Sequence, residues 1–103
     1  MEGFIKVANK NQLHSTRGIS VRVDGEEIAI FQIGSDIFAV RNDCPHQHFQ
    51  LLHQGTLKDH ALTCPMHGWT FDLRTGKAMN GDGNLKKYAV KIIDDDVWIK
   101  PSM

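Results

Sequence analysis

The chain has 103 residues, 41% of them apolar and 23% charged, with twelve basic and twelve acidic side chains. This is the size and composition of one globular domain with a modest core, taken here as 1–103. The cancelled charge argues against a nucleic-acid-binding surface, which needs a basic excess. No apolar run approaches the length of a membrane span, and Met1-Glu2-Gly3-Phe4 carries no signal-peptide pattern.

Taken in order, the chain reads as short strands with turn signals between them, and no sustained helical period is found. Phe4-Ile5-Lys6-Val7 is a first strand. A short helix over Asn9 to His14 is compatible with the pattern. Ile19-Ser20-Val21-Arg22-Val23 alternates cleanly, Asp24-Gly25 is a two-residue hairpin signal, and Glu26 to Ile33 returns as the second arm. Gly34-Ser35-Asp36 turns the chain into Ile37-Phe38-Ala39-Val40. Gly55 to Lys58 and His60 to Thr63 form a short hairpin. Thr70-Phe71-Asp72 and Lys77-Ala78-Met79 flank an Arg74-Thr75-Gly76 turn, and Asn80 to Asn84 is loop. Tyr88 to Ile93, an Asp94-Asp95-Asp96 turn and Val97 to Lys100 close the chain with another hairpin. Many short strands at regular spacing predict an all-β fold, an antiparallel barrel or sandwich.

Two motifs interrupt this scaffold. Cys44-Pro45-His46 follows the strand ending near Val40, and Cys64-Pro65-Met66-His67 follows the one ending near Thr63. Each offers one thiolate and one imidazole at loop spacing, and together they make a Cys2His2 metal site from Cys44, His46, Cys64 and His67. Both cysteines of the chain are used, so none is left for a disulfide. Cysteines kept as ligands fit a reducing compartment, and a cytoplasmic location is expected.

The order C-x-H, a spacer from Gln47 to Thr63, then C-x-x-H resembles the Rieske [2Fe–2S] signature, in which two His replace two Cys on one of two irons. Gly68-Trp69-Thr70-Phe71-Asp72-Leu73-Arg74-Thr75-Gly76 is similar to the segment after the second loop in Rieske-type ferredoxins and oxygenase Rieske domains. The resemblance implies a Rieske-type fold whose cluster-binding subdomain, approximately 42–76, is inserted as two loops between strands of the barrel. It implies one [2Fe–2S] cluster per chain, with Cys44 and Cys64 on one iron and His46 and His67 on the other. It implies an electron carrier without catalysis of its own. A flavin-dependent reductase and a terminal oxygenase or other oxidoreductase would be its partners, with no nucleic acid and no membrane. The chain is too short for an oxygenase catalytic domain, and no separate two-His-one-carboxylate set is found beyond the four ligands.

Replacing two thiolates by neutral imidazoles removes negative charge and raises the potential, to about −150 to +300 mV against about −400 mV for plant-type clusters. High-potential relatives carry an inter-loop disulfide and place Ser and Tyr hydroxyls near the cluster. The matching positions here are Met66, Trp69 and Phe71, so the low end of that range is expected. The imidazoles couple reduction to protonation, so the potential is expected to fall as pH rises.

Other readings of the same residues stand beside these. A Cys2His2 set could bind zinc, although zinc sites favour paired C-x2–4-C and H-x3–5-H spacings. The small subunit of assimilatory nitrite reductase shares the Rieske-like fold and is an alternative role. His48 and His53 read as surface histidines or neighbours of the ligands, and His14 and His60 as surface residues. His48 and Phe49 also depart from the small residue that many relatives carry after the first His ligand. Trp69 reads as part of an apolar collar with Leu51 and Leu52, Phe49 and Met66 as collar or docking residues, and Trp98 as core.

Overall fold

The computed structural model describes residues 3–13, 18–42, 52–64, 69–79 and 83–100. Nine strands run through the described residues: β1 Ile5–Asn9, β2 Ile19–Val23, β3 Glu26–Ile33, β4 Asp36–Arg41, β5 Thr56–Lys58, β6 Ala61–Thr63, β7 Thr70–Asp72, β8 Lys87–Ile93 and β9 Asp96–Lys100. They form two antiparallel sheets, a six-stranded one in the order β1-β9-β8-β4-β3-β2 and a three-stranded one in the order β5-β6-β7. The edge strands β1 and β2 of the larger sheet approach one another, so it curls into a near-barrel.

The turns follow from local chemistry. Asp24 and Gly25 both have positive φ, 52° and 82°, the geometry of a two-residue type I′ hairpin that matches strand twist. Gly34 alone is left-handed in the Gly34-Ser35 turn, where Ile33 pairs with Asp36. Asp59 and Asp94 open the β5–β6 and β8–β9 turns at φ 54° and 56°, a region Asp tolerates better than most side chains. The predicted short helix is a single 3-10 turn, Lys10–Gln12. A capping box holds it: Asn9 Oδ1 accepts from the Asn11 N–H at 2.9 Å and Gln12 Oε1 from the Asn9 N–H at 2.8 Å. Lys77–Met79 do not form a full strand; they return along β7 through the Asp72 N–H to Lys77 O and Met79 N–H to Thr70 O bonds.

The core has two parts with one wall in common. Val23, Ile28, Ile30, Ala39, Tyr88 and Ile99 fill the barrel interior. Ala29, Phe31 and Val40, from the other face of β3 and β4, pack against Leu62, Cys64, Phe71 and Leu73 of the small sheet. Strand β3 is thus buried on both faces. This explains why Ile28-Ala29-Ile30-Phe31 is a continuous apolar run where a one-sided strand would alternate. Trp98 lies outside both core clusters but is half-buried, its Nε1 shielded from solvent: Val97 and Ile99 beside it are fully buried, and the strand period puts Trp98 on the other face, paired with Lys6 and Lys91. The reason is parity, since Val97 and Ile99 take the inward positions.

The small sheet lies between β4 and β8 in sequence, and β4 and β8 are themselves paired, Ala39 with Tyr88 and Val40 with Lys87. The Arg41 N–H donates to Lys86 O at 2.8 Å where the chain leaves and re-enters. An insertion whose two ends are hydrogen-bonded neighbours leaves the barrel ladder unbroken.

Candidate metal centre

Of the four residues predicted as ligands, the described residues include Cys64; Cys44, His46 and His67 lie outside them. Cys64 is 2% exposed and sits at the end of β6. Its neighbours are the side chains of the insertion core, Leu62, Phe71 and Leu73 among them, with Trp69 half-buried against the same cluster. A thiolate there is shielded from water and from competing ligands, which suits a soft cluster ligand.

Sheet register sets the position of Cys64. Strands β6 and β7 pair through Ala61 with Asp72, Leu62 with Phe71 and Thr63 with Thr70. The Cys64 N–H then donates to Trp69 O at 2.7 Å. The Thr63 and Thr70 hydroxyls lie 3.1 Å apart and share one hydrogen bond beside it. The β6–β7 ladder thus runs on to the pair Cys64 and Trp69, the described residues on either side of Pro65 to Gly68.

The turn after β7 is fixed by Asp72 and Gly76. Asp72 Oδ1 accepts from the Arg74 N–H at 2.9 Å and its Nε at 3.2 Å, and Oδ2 accepts from Nη2 at 3.1 Å. These bonds hold the Asp72 carboxyl below its ordinary pKa, the Arg74 side chain being the main cause. Gly76 has φ 81°, its N–H donates to Asp72 O at 2.6 Å, and its carbonyl accepts from Leu85 N–H at 2.6 Å. A Cβ there would stand 2.8 Å from Leu85 O. The Arg74-Thr75-Gly76 match thus closes the insertion against the returning chain.

The first motif has a different base. Residues 43–51 lie outside the described residues, but both flanks are placed. Asn42 is fully buried, and its N–H donates to Glu27 O at 2.9 Å. Its Oδ1 accepts from the His53 N–H at 2.7 Å. That bond orients the amide, so Nδ2 faces His53 Nδ1 at 2.9 Å, and Ser20 Oγ at 3.3 Å. His53 Nδ1 is then the acceptor, and the network assigns the ring proton to Nε2. The His53 carbonyl accepts from Gly18 N–H at 3.1 Å.

Two histidines read as surface residues or neighbours of the ligands prove to be built in. His53 is half-buried in this network, and His60 packs edge-on against Phe38 with ring centroids 5.7 Å apart. His48 and His14 lie outside the described residues, as do Phe49, Leu51 and Met66. Sequence reasoning missed Asn42 and Gly18. A buried Asn two residues before Cys44 carries no signal of its own until its partners are known. Gly18 is needed because a Cβ would meet the Phe31 ring at 2.5 Å. Among the described residues no group of three or more metal-ligating side chains gathers elsewhere, and no helix is long and apolar enough to cross a membrane.

Comparison with known proteins agrees with this arrangement. Residues 3–91 match the family model for the Rieske [2Fe-2S] domain. The ferredoxin component of the naphthalene 1,2-dioxygenase/salicylate 5-hydroxylase systems of Ralstonia sp. is 34% identical over 84 residues, 80% of each chain. The ferredoxin of carbazole 1,9a-dioxygenase from Nocardioides aromaticivorans IC177 superposes with a TM-score of 0.89 at 25% identity, covering 98% of this chain and 100% of that one. An NADH-dependent nitrite reductase small subunit from Mycobacterium tuberculosis superposes at 0.88 with 18% identity, covering 97% and 96%, a likeness of fold.

Proposed function

Because the chain belongs to the Rieske [2Fe–2S] domain family, we propose that it serves as the ferredoxin component of an oxygenase system, accepting one electron from a flavin-dependent reductase and delivering it to the terminal oxygenase. Its cofactor is a Rieske-type [2Fe–2S] cluster, which supplies a one-electron couple. The ligands are Cys44, His46, Cys64 and His67, from two loops of a cluster-binding subdomain, approximately 42–76, within a single domain 1–103. The observation that supports this reading is Cys64, a buried thiol at the end of β6 whose N–H is bonded to Trp69 O.

The chain's own residues exclude water and hold geometry. Leu62, Phe71 and Leu73 keep solvent off the cysteine side of the site. Trp69 and Phe71 offer no hydroxyl at the positions where high-potential relatives place one; Phe71 is fully buried and Trp69 packs on the same core. This supports a potential near the low end of the range, about −150 mV. Free thiols as ligands support a cytoplasmic location.

The test is the visible spectrum as isolated and after dithionite, low-temperature EPR of the reduced form, and a redox titration. The expected protein is red-brown, bleaches on reduction, gives the low average g-value of a His-ligated [2Fe–2S] centre and titrates near the low end of the Rieske range, about −150 mV. Stoichiometric zinc in a colourless protein would overturn the reading. The nitrite reductase small subunit shares the fold; stable co-purification with one large subunit would favour that role, while reversible reduction of the free protein favours the carrier.

A further inference from the structure

The two cluster loops are closed at their bases by different means. The second is closed by main-chain bonds, the β6–β7 ladder continued by Cys64 N–H to Trp69 O. Among the described residues the first has no such ladder: β4 ends at Arg41, and the returning residues Leu52–Gln54 form a 3-10 turn. Where the ladder stops, a side chain takes over. Asn42 Oδ1 and Nδ2 bond the main chain and the ring of His53 at 2.7 and 2.9 Å, across eleven residues of sequence.

The same amide is anchored on the barrel. The Asn42 N–H is bonded to Glu27 O, its Nδ2 to Ser20 Oγ, and Ser20 Oγ donates to Glu27 Oε2 at 2.6 Å. Gly18 N–H fixes the His53 carbonyl from the other side. Asn42 is the buried polar side chain among the described residues. Burying an amide is costly unless its bonds are made, and a fully bonded one selects a single geometry.

We infer that Asn42 is the positioning residue of the first cluster loop: its side chain ties residue 42 to residue 53 across the loop's neck and ties that neck to β2 and β3. Cys44 and His46 follow the tie by two and four residues in sequence, so a fixed neck limits where they can stand. The inference rests on the reading that Cys44 and His46 ligate the cluster.

The experiment compares cluster-loaded wild type with Asn42→Ala, His53→Ala and Ser20→Ala. It follows bleaching of the visible absorbance under a chelator, the g-values of the reduced form, and the far-UV thermal transition. Asn42→Ala should bleach roughly tenfold faster or more, the scale of losing a buried, bonded amide, with altered g-values. His53→Ala keeps the main-chain bond and loses the ring, so it should bleach faster by a smaller factor. Ser20→Ala keeps both Asn42 bonds to His53 and loses only the Nδ2 contact to β2, so it should bleach faster than wild type by less than Asn42→Ala does. If Asn42→Ala does not fold, His53→Ala decides alone: wild-type bleaching and g-values overturn the inference. Bleaching of Asn42→Ala at the wild-type rate, or only in step with global unfolding and with unchanged g-values, also overturns it. A wild type that holds no iron and sulfide would overturn the ferredoxin reading, and this inference with it.

Discussion

The barrel and the small sheet are both antiparallel, yet they are stabilised differently. The barrel strands span five to eight residues and pack Val23, Ile28, Ile30, Ala39, Tyr88 and Ile99 against one another. Strands β5, β6 and β7 have three residues each and bring Leu62 and Phe71 to one face. Three strands that short are marginal alone, and their apolar face is completed by Ala29, Phe31 and Val40 of the barrel wall. The small sheet therefore borrows its core from the scaffold. Damage to the outer face of β3 should reach the site before it reaches the barrel.

The largest test is to truncate each face of β3 in turn. Phe31→Ala removes the ring beneath the insertion and should cost about 3–5 kcal/mol, while Ile30→Ala on the inner face should cost about 2–5 kcal/mol. In urea, Phe31→Ala is expected to lose cluster absorbance before far-UV ellipticity, whereas Ile30→Ala loses both together. Coincident transitions for Phe31→Ala would break the comparison.

Next come two glycines on the insertion side. Gly76→Ala forces a left-handed side chain at φ 81° and a Cβ 2.8 Å from Leu85 O, for roughly 2–3 kcal/mol. Gly18→Ala drives a Cβ into the Phe31 ring and 2.9 Å from Ile30 O, for about 1–3 kcal/mol. Thermal melts of the cluster-loaded variants should rank Gly76→Ala below Gly18→Ala, and both below wild type. A Gly18→Ala protein as stable as wild type would mean that Phe31 is free to move aside.

The smallest effect is on the acid limb. Glu27 is held below its ordinary pKa, first by the Ser20 hydroxyl and also by Asn42 and Arg22. A lowered folded-state pKa contributes stability above the unfolded carboxyl value and loses it as pH falls through the folded one. Glu27→Gln should therefore flatten the loss of stability below about pH 4.5, while leaving the neutral-pH melt little changed because the group is partly exposed. An unchanged acid limb would show that Glu27 does not link the barrel edge to the Asn42 network.

Much of the fold was legible because it is local. Ile19–Val23, Asp24-Gly25 and Glu26–Ile33 emerge with the bounds read from alternation and turn chemistry, since side-chain period and φ preference act within a few residues. The family was legible from the two Cys-His motifs and the Gly68 to Gly76 segment, because ligand chemistry dictates residue type and spacing. What tertiary structure alone decided concerns partners far apart in sequence. Alternation does not say that β4 and β8 are neighbours, that both faces of β3 are buried, or that Trp98 lies outside both core clusters. Nor could any local pattern mark Asn42, whose value lies in bonds to Ser20, Glu27 and His53 on three other segments. A residue's type is set by its own chemistry; the role of a buried amide is set by what the fold places around it.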